Sequence, residues 1–192
     1  MGTPLTNVAA FIIPTIFGAF MAIVLMRFLM QYVRASFANP FGQFILSASN
    51  PVILPLRKII PSIGTLDTAS LLIAFVTHSA FIVVLAFFTR QNINVSQIIL
   101  WSAVGVCTMM LTIFMGVIIM SVISSWLPDF RHQPIMRTIE QLAAPILSPF
   151  RKLIPDMGGI DLSPMLAFLL MQCITVFLRS LPVLNRTFIL GF

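Results

Sequence analysis

Apolar and polar positions divide the chain into four long hydrophobic stretches and two intervening proline-rich ones. Val8 to Val33 is the first hydrophobic stretch, with Pro14 near its start and Arg27 near its end. About 20 apolar residues suffice to cross the hydrocarbon core of a bilayer, so this stretch predicts a span. Pro14 is expected to kink it or loosen its first turns. Ala69 to Thr89 predicts a second span, and Ile98 to Leu127 a third, with Trp101 and Trp126 near the ends, where indoles favour the membrane interface. Leu162 to Leu181 predicts the fourth, opened by Ser163-Pro164 and closed by Arg179 and Pro182. No stretch alternates as a strand does.

The proline-rich stretch from Ala35 to Thr68 is too polar to span. Phe41, Phe44, Ile45, Ala48 and Val52 nevertheless share one helical face, with Gln43, Ser47 and Asn50 off it. Asn39-Pro40 is a start signal, a capping residue followed by proline at the first helical position, and Pro51 and Pro55 are expected to limit the helix. After Pro134 the device recurs: Ile135, Ile139, Leu142 and Ile146 form the stripe, and Arg137, Glu140 and Gln141 lie off it. The pattern predicts two amphipathic helices lying on the membrane. The competing reading, a helix of a soluble core, lacks a soluble core for it to join.

The recurrence is an internal duplication with a constant offset of 94 residues, from Pro51 to Pro145. Pro51, Pro55, Arg57, Lys58, Ile60, Pro61, Gly64 and Asp67 are identical to Pro145, Pro149, Arg151, Lys152, Ile154, Pro155, Gly158 and Asp161, and Pro40 falls on Pro134. The chain therefore reads as one unit built twice, residues 1–94 (spans about 8–33 and 69–89) and 95–192 (spans about 98–127 and 162–181). An even number of spans per unit leaves both copies pointing the same way, related by a pseudo-two-fold axis along the membrane normal. The expected fold is an all-α integral membrane protein with four transmembrane helices in two tandem parallel repeats. Each repeat carries one interfacial, proline-rich helical segment.

The run from Pro145 to Pro164, P-x-L-x-P-F-R-K-L-I-P-x-x-G-G-I-D-L-S-P, resembles the signature of the YggT family of bacterial and plastid membrane proteins. The first copy departs from it at Thr65, in place of the second glycine, and at Ser70, in place of the final proline. With the flanking spans, the resemblance covers nearly the whole chain. It implies two repeats and four spans, a bacterial inner membrane location, and an association with osmotic-stress tolerance and cell-division gene neighbourhoods. Plastid members add nucleoid distribution and cytochrome assembly. The resemblance implies no one biochemical activity.

Composition agrees with the membrane reading: 59% of the 192 residues are hydrophobic and 8% charged, against roughly a quarter charged in soluble domains. The first apolar run is longer than a signal-peptide core and is expected to be retained. Gly2 with Thr6 matches an N-myristoylation pattern only formally in a protein of bacterial type. A net charge of +6 would suggest nucleic acid in a soluble chain. Here Lys and Arg gather at the ends of apolar segments, which disfavours nucleic acid and points to topology and lipid headgroups. Arg34, Arg57, Lys58, Arg131, Arg137, Arg151 and Lys152 lie in the two long loops, against Arg90 and Arg186 opposite. The positive-inside rule puts the loops in the cytoplasm and the termini in the periplasm.

Arg57-Lys58 and Arg151-Lys152 are the leading candidates for function. They recur between prolines in apolar surroundings, where paired cations hold lipid phosphate, contact a partner or simply set topology. Asp67 and Asp161 either neutralise these pairs or cap the following helix. His78 lies mid-span, and the offset places Gln172 at the equivalent position; interhelical hydrogen bonding, ion handling and ligand binding are open to them. Gly18 and Ala22 are mirrored by Thr112 and Gly116, small residues four apart that let helix backbones approach. Cys107 and Cys173 have no metal or redox spacing and are expected to pack inertly. No triad, phosphate loop, metal cluster or intramembrane carboxylate pair is present in the sequence, so no catalytic residue and no cofactor is expected. The leading expectation is a non-enzymatic envelope protein that organises anionic lipid or a membrane-protein partner. A small-ion or solute conductor lined near His78 and Gln172 is the alternative, and an assembly factor for another membrane protein, after the plastid members, the third.

Overall fold

The computed structural model describes residues 4–126, 133–153 and 161–180. Within them lie α1 (Pro4–Tyr32), α2 (Pro40–Arg57), α3 (Thr68–Thr89), α4 (Val95–Trp126), α5 (Pro134–Leu153) and α6 (Ser163–Ser180). The second copy of the proline–glycine turn, with Asp129, Arg131, His132, Leu181, Pro182 and Arg186, falls outside the described residues. Helices α1, α3 and α4 are long and apolar enough to cross a membrane, over Phe11–Tyr32, Thr68–Thr89 and Val95–Ser125. The apolar part of α6, Ser163–Leu178, is shorter. Pro14 lies inside α1, which is helical from Pro4 onward.

Local chemistry sets the helix ends. Asn39 is extended (φ −82, ψ 161), and its Oδ1 accepts the Gly42 N–H at 2.7 Å, with Pro40 opening the helix as the sequence predicts. α1 and α3 stop at left-handed arginines, Arg34 (φ 57) and Arg90 (φ 52). The N–H groups of Ala35 and Gln91 then close on the Met30 and Ala86 carbonyls. Between α2 and α3, Ile63 and Leu66 exchange two 3.0 Å backbone bonds around Gly64 at φ 61, so the tight turn forms with Thr65 in place of the second glycine.

Two expectations are revised. Helix α2 runs through Pro51 and Pro55, and α5 through Pro145 and Pro149, instead of ending at them. In each helix the prolines stand four apart on the exposed side, so the carbonyls they leave without a helical donor also face outward. The face that α2 packs inward is Gly42, Ile45, Ser49 and Ile53, whereas Phe44 and Val52 of the expected stripe are exposed. In α5 the inward face is Met136, Ile139, Leu142, Ala143 and Leu147, next to the expected Ile135 and Ile146, which are partly buried.

Helix α1 packs against α3 most extensively and also touches α2, α4 and α5; α4 packs against α3, α5 and α6. The largest cluster joins the two copies through Phe28, Leu29 and Met30 of α1, Val117 and Ile118 of α4, and Leu142 and Leu147 of α5. A second joins Val24 and Leu25 to Ile53 of α2 and Ala69 and Ala74 of α3. A third sets Phe81, Ile82 and Leu85 against Trp101. Between apolar helices in lipid, close packing and hydrogen bonds supply the attraction, because hydrocarbon is as apolar as the side chains. Hydroxyls inside the helices donate to the preceding turn, as Thr15 to Phe11, Thr108 to Val104 and Thr175 to Met171. The outer faces expose Phe11, Ile16, Val83, Phe87, Leu169 and Phe177, a breadth of apolar surface suited to lipid. Cys107 and Cys173 are exposed there and not packed inside.

Close backbone approach occurs at other glycines than those expected. A Cβ on Gly18 would meet only Met109 Cε, at 3.9 Å, and one on Gly116 would have nothing within 4 Å; Thr112 is exposed as well. Steric demand falls instead on Gly42, whose Cβ would lie 2.6 Å from Phe37 Cα, and on Gly105, where it would overlap the His78 imidazole.

Candidate functional site: a duplicated arginine–aspartate junction

Each proline-rich helix carries an arginine in its last turn, ten residues before an aspartate that precedes the next helix. In the first copy the pair is Arg57 and Asp67. Asp67 caps α3 by accepting the Ser70 N–H at 3.3 Å and the Ser70 hydroxyl. Its other partner is the Arg57 guanidinium, Nε at 3.3 Å from Oδ1 and the terminal nitrogen at 2.5 Å from Oδ2. Capping and neutralisation, which the sequence offers as alternatives, are both made by one carboxylate. Arg57 also donates to Gln31 of α1, so α1, α2 and α3 are tied at one point. Asp67 is fully buried, a position a carboxylate holds only when paired.

A second arginine completes the first junction. Arg27 of α1 is 3% exposed, donates to Ser49 Oγ at 2.8 Å and Asn50 Oδ1 at 2.7 Å, and places its Nε 3.7 Å from Asp67 Oδ2 without a hydrogen bond. Two guanidinium groups therefore share one buried carboxylate. In the sequence Arg27 reads as a span-end charge, Asn50 only as a position off the apolar stripe and Ser70 only as a departure from the family signature, and Gln31 and Ser49 go unmarked. The usable signal is an arginine inside an apolar run, which requires a partner at membrane depth.

The second copy keeps the pair and drops its surroundings. Arg151 Nε lies 2.9 Å from Asp161 Oδ2, and Asp161 Oδ1 accepts the Ser163 N–H at 2.9 Å. Here the partners are 53% and 41% exposed, against 29% and 0% for Arg57 and Asp67. At the 94-residue offset Arg27 becomes Ser121, Gln31 becomes Ser125, and Ser49 and Asn50 become Ala143 and Ala144. The space so vacated is a cavity of about 860 Å³ bordered by Ser121, Ser125, Glu140, Ala143, Arg151 and Asp161.

This geometry lowers the pKa of both carboxyls below the ordinary 3.8. Burial pushes Asp67 upward, and hydrogen bonds from Arg57 and Ser70 with the Arg57 charge outweigh it. At Asp161 burial is likewise outweighed, by hydrogen bonds from Ser163 and then by Arg151.

The sequence model of the CCB3/YggT family matches residues 6–88 and again residues 100–182, one match for each junction with its flanking helices. The chain belongs to the CCB3/YggT family. An uncharacterized protein of Pseudomonas aeruginosa is 38% identical over 172 residues, covering 88% of this chain and 87% of that one. The uncharacterized protein YggT of Escherichia coli K12 is 36% identical over 173 residues, covering 88% of each. A shorter match, 35% over 72 residues, joins 38% of the chain to 28% of the chloroplastic YlmG homolog protein 2 of Arabidopsis thaliana. No solved structure matches the chain.

The other sequence candidates are dispersed. Lys58 and Lys152 are exposed beside their arginines. His78 is 3% exposed, packs edge-on to Phe81 at 5.5 Å between ring centres, and sits against Gly105 of α4. Gln172 is exposed on α6, which packs against α4 and α5, so it does not share the buried surroundings of His78. Among the described residues no group of three His, Cys, Asp or Glu side chains could hold a metal ion. Asn39, read only as a cap, also donates through Nδ2 to Thr138 Oγ1 of α5 at 2.6 Å, a buried link between the copies.

Proposed function

We propose that this family member is a non-enzymatic, four-span membrane protein that organises anionic lipid, or a membrane partner carrying equivalent anionic groups, through the basic ends of α2 and α5 on the cytoplasmic side. The reading is carried by the division of labour within each basic pair. Arg57 and Arg151 are engaged by aspartates, whereas Lys58 and Lys152 stand exposed next to them. The arginines fix the helix ends, and the lysines then present charge from a held position to a headgroup phosphate. The link to osmotic stress or envelope processes belongs to this reading and rests on the family resemblance.

Lys58→Gln with Lys152→Gln tests it. The junctions stay intact, so the protein should insert and melt as wild type, and phosphatidylglycerol and cardiolipin co-purifying with it should fall. Each lysine near an anionic surface contributes about 1 kcal/mol, which predicts a loss of roughly tenfold or more for the pair. Equal retention of both lipids by the variant and wild type, in protein of verified orientation, would refute the reading.

A further inference from the structure

The cavity of the second copy occupies the place that Arg27 fills in the first. It adjoins an apolar groove of about 740 Å³ between α4 and α6, and the two share Val122, Leu162, Pro164 and Met165 as lining. The groove itself is walled by residues such as Ile118, Ile123, Phe168 and Leu169. A polar recess beside an apolar slot matches the shape of an amphiphile. The charge balance says which one. In the first junction two arginines face one aspartate, an excess of positive charge. In the second the arginine is replaced by Ser121 and a carboxylate is added, Glu140 standing where the first copy has Leu46, so that among the described residues lining the recess Asp161 and Glu140 are met by one cation, Arg151. A recess that lost a guanidinium and gained a carboxylate is complementary to an ammonium group.

We propose that this cavity and groove hold one amine-bearing phospholipid. Its ammonium takes the place of the Arg27 guanidinium beside Glu140, Asp161 and the Ser121 and Ser125 hydroxyls. Its phosphate meets the Arg151 guanidinium, of which only Nε is committed to Asp161. One acyl chain lies in the groove between α4 and α6. This site requires the membrane-resident fold of the preceding reading but not its lysines, and it selects a zwitterionic headgroup where the lysines select an anionic one.

The test uses the full chain in detergent, with native mass spectrometry of bound phosphatidylethanolamine and phosphatidylglycerol supplied in equal amounts. Wild type should retain phosphatidylethanolamine. Glu140→Gln removes one charge at an exposed position and should weaken that retention about tenfold, the worth of a charge-assisted hydrogen bond. Ser121→Arg installs the side chain of the first copy and should abolish retention by filling the recess, with no loss of melting temperature. Lys58→Gln with Lys152→Gln should leave phosphatidylethanolamine unchanged, so failure of the anionic-lipid reading and failure of this one are separable. Unchanged phosphatidylethanolamine retention in Glu140→Gln overturns the proposal, even if Ser121→Arg fails to fold. Equal displacement of the lipid by soluble glycerophosphoethanolamine, without acyl chains, would show that the groove plays no part and would also overturn it.

Discussion

The two copies place the same arginine and aspartate at the same register and use them differently. In the first, Asp67 is sealed from solvent, caps α3, and anchors two arginines that reach it from α1 and α2. In the second, the pair is about half exposed and the space beside it is open. Burial decides what an ion pair is worth. An exposed pair contributes about 0–1 kcal/mol, whereas removing one partner of a buried pair costs about 3–5 kcal/mol because the remaining charge is left unpaired. The first junction is therefore a structural lock. The second leaves its charges open to solvent.

Substituting the two aspartates gives the largest expected contrast. Asp67→Ala strands Arg27 and Arg57 together and should destabilise by about 3–5 kcal/mol, whereas Asp161→Ala should cost about 1 kcal/mol or less. Reversible unfolding in mixed micelles measures both, and equal losses would break the distinction between the buried and the open junction.

Next in size is Gly42. Its counterpart at the offset is Met136, so the second copy accepts a large side chain where the first accepts none. Gly42→Ala forces a Cβ onto the Phe37 backbone and should cost about 1–3 kcal/mol, despite the better helix propensity of alanine. A neutral or stabilising result in the same unfolding measurement would mean that the segment between α1 and α2 yields easily.

Asn39 offers a smaller contrast, because its counterpart Gln133 is exposed. Asn39→Ala removes the α2 cap and the bond to Thr138 and should cost about 1–2 kcal/mol, against a few tenths for Gln133→Ala. Thermal melts of the two variants side by side would reveal whether the copies are latched through α5.

Acid should act on both junctions, with the smallest effect. Folding lowers the pKa of Asp67 and of Asp161, so the folded chain binds fewer protons than the unfolded one near those values. The resulting stability is full above the ordinary 3.8 and is lost as pH falls through the lowered folded values. Melting temperature followed downward from pH 5 should drop in the wild type, and Asp67→Ala and Asp161→Ala should each remove part of the drop. A variant that keeps the full wild-type drop would contradict pairing of its carboxylate.

Much of the fold is legible in the order of residues alone. Long apolar runs give helices because lipid leaves backbone polar groups no partner but one another, which places α1, α3 and α4 to within a few residues. Asn39-Pro40 marks the start of α2 by local chemistry, and the 94-residue offset announces the duplication. The face that α2 and α5 turn inward is not legible in full. Apolar residues surround α2, so periodicity does not choose between the side packed on α1 and α3 and the side left outward. Nor does it separate His78, enclosed by Gly105 and Phe81, from Gln172 at the matching position on an exposed face. Conversion of a repeated Arg–Asp pair into a sealed lock in one copy and an open recess in the other is decided by tertiary structure. It depends on whether a side chain from a distant helix, Arg27 or Ser121, reaches into the junction and excludes solvent, and a local pattern does not carry the distance between helices.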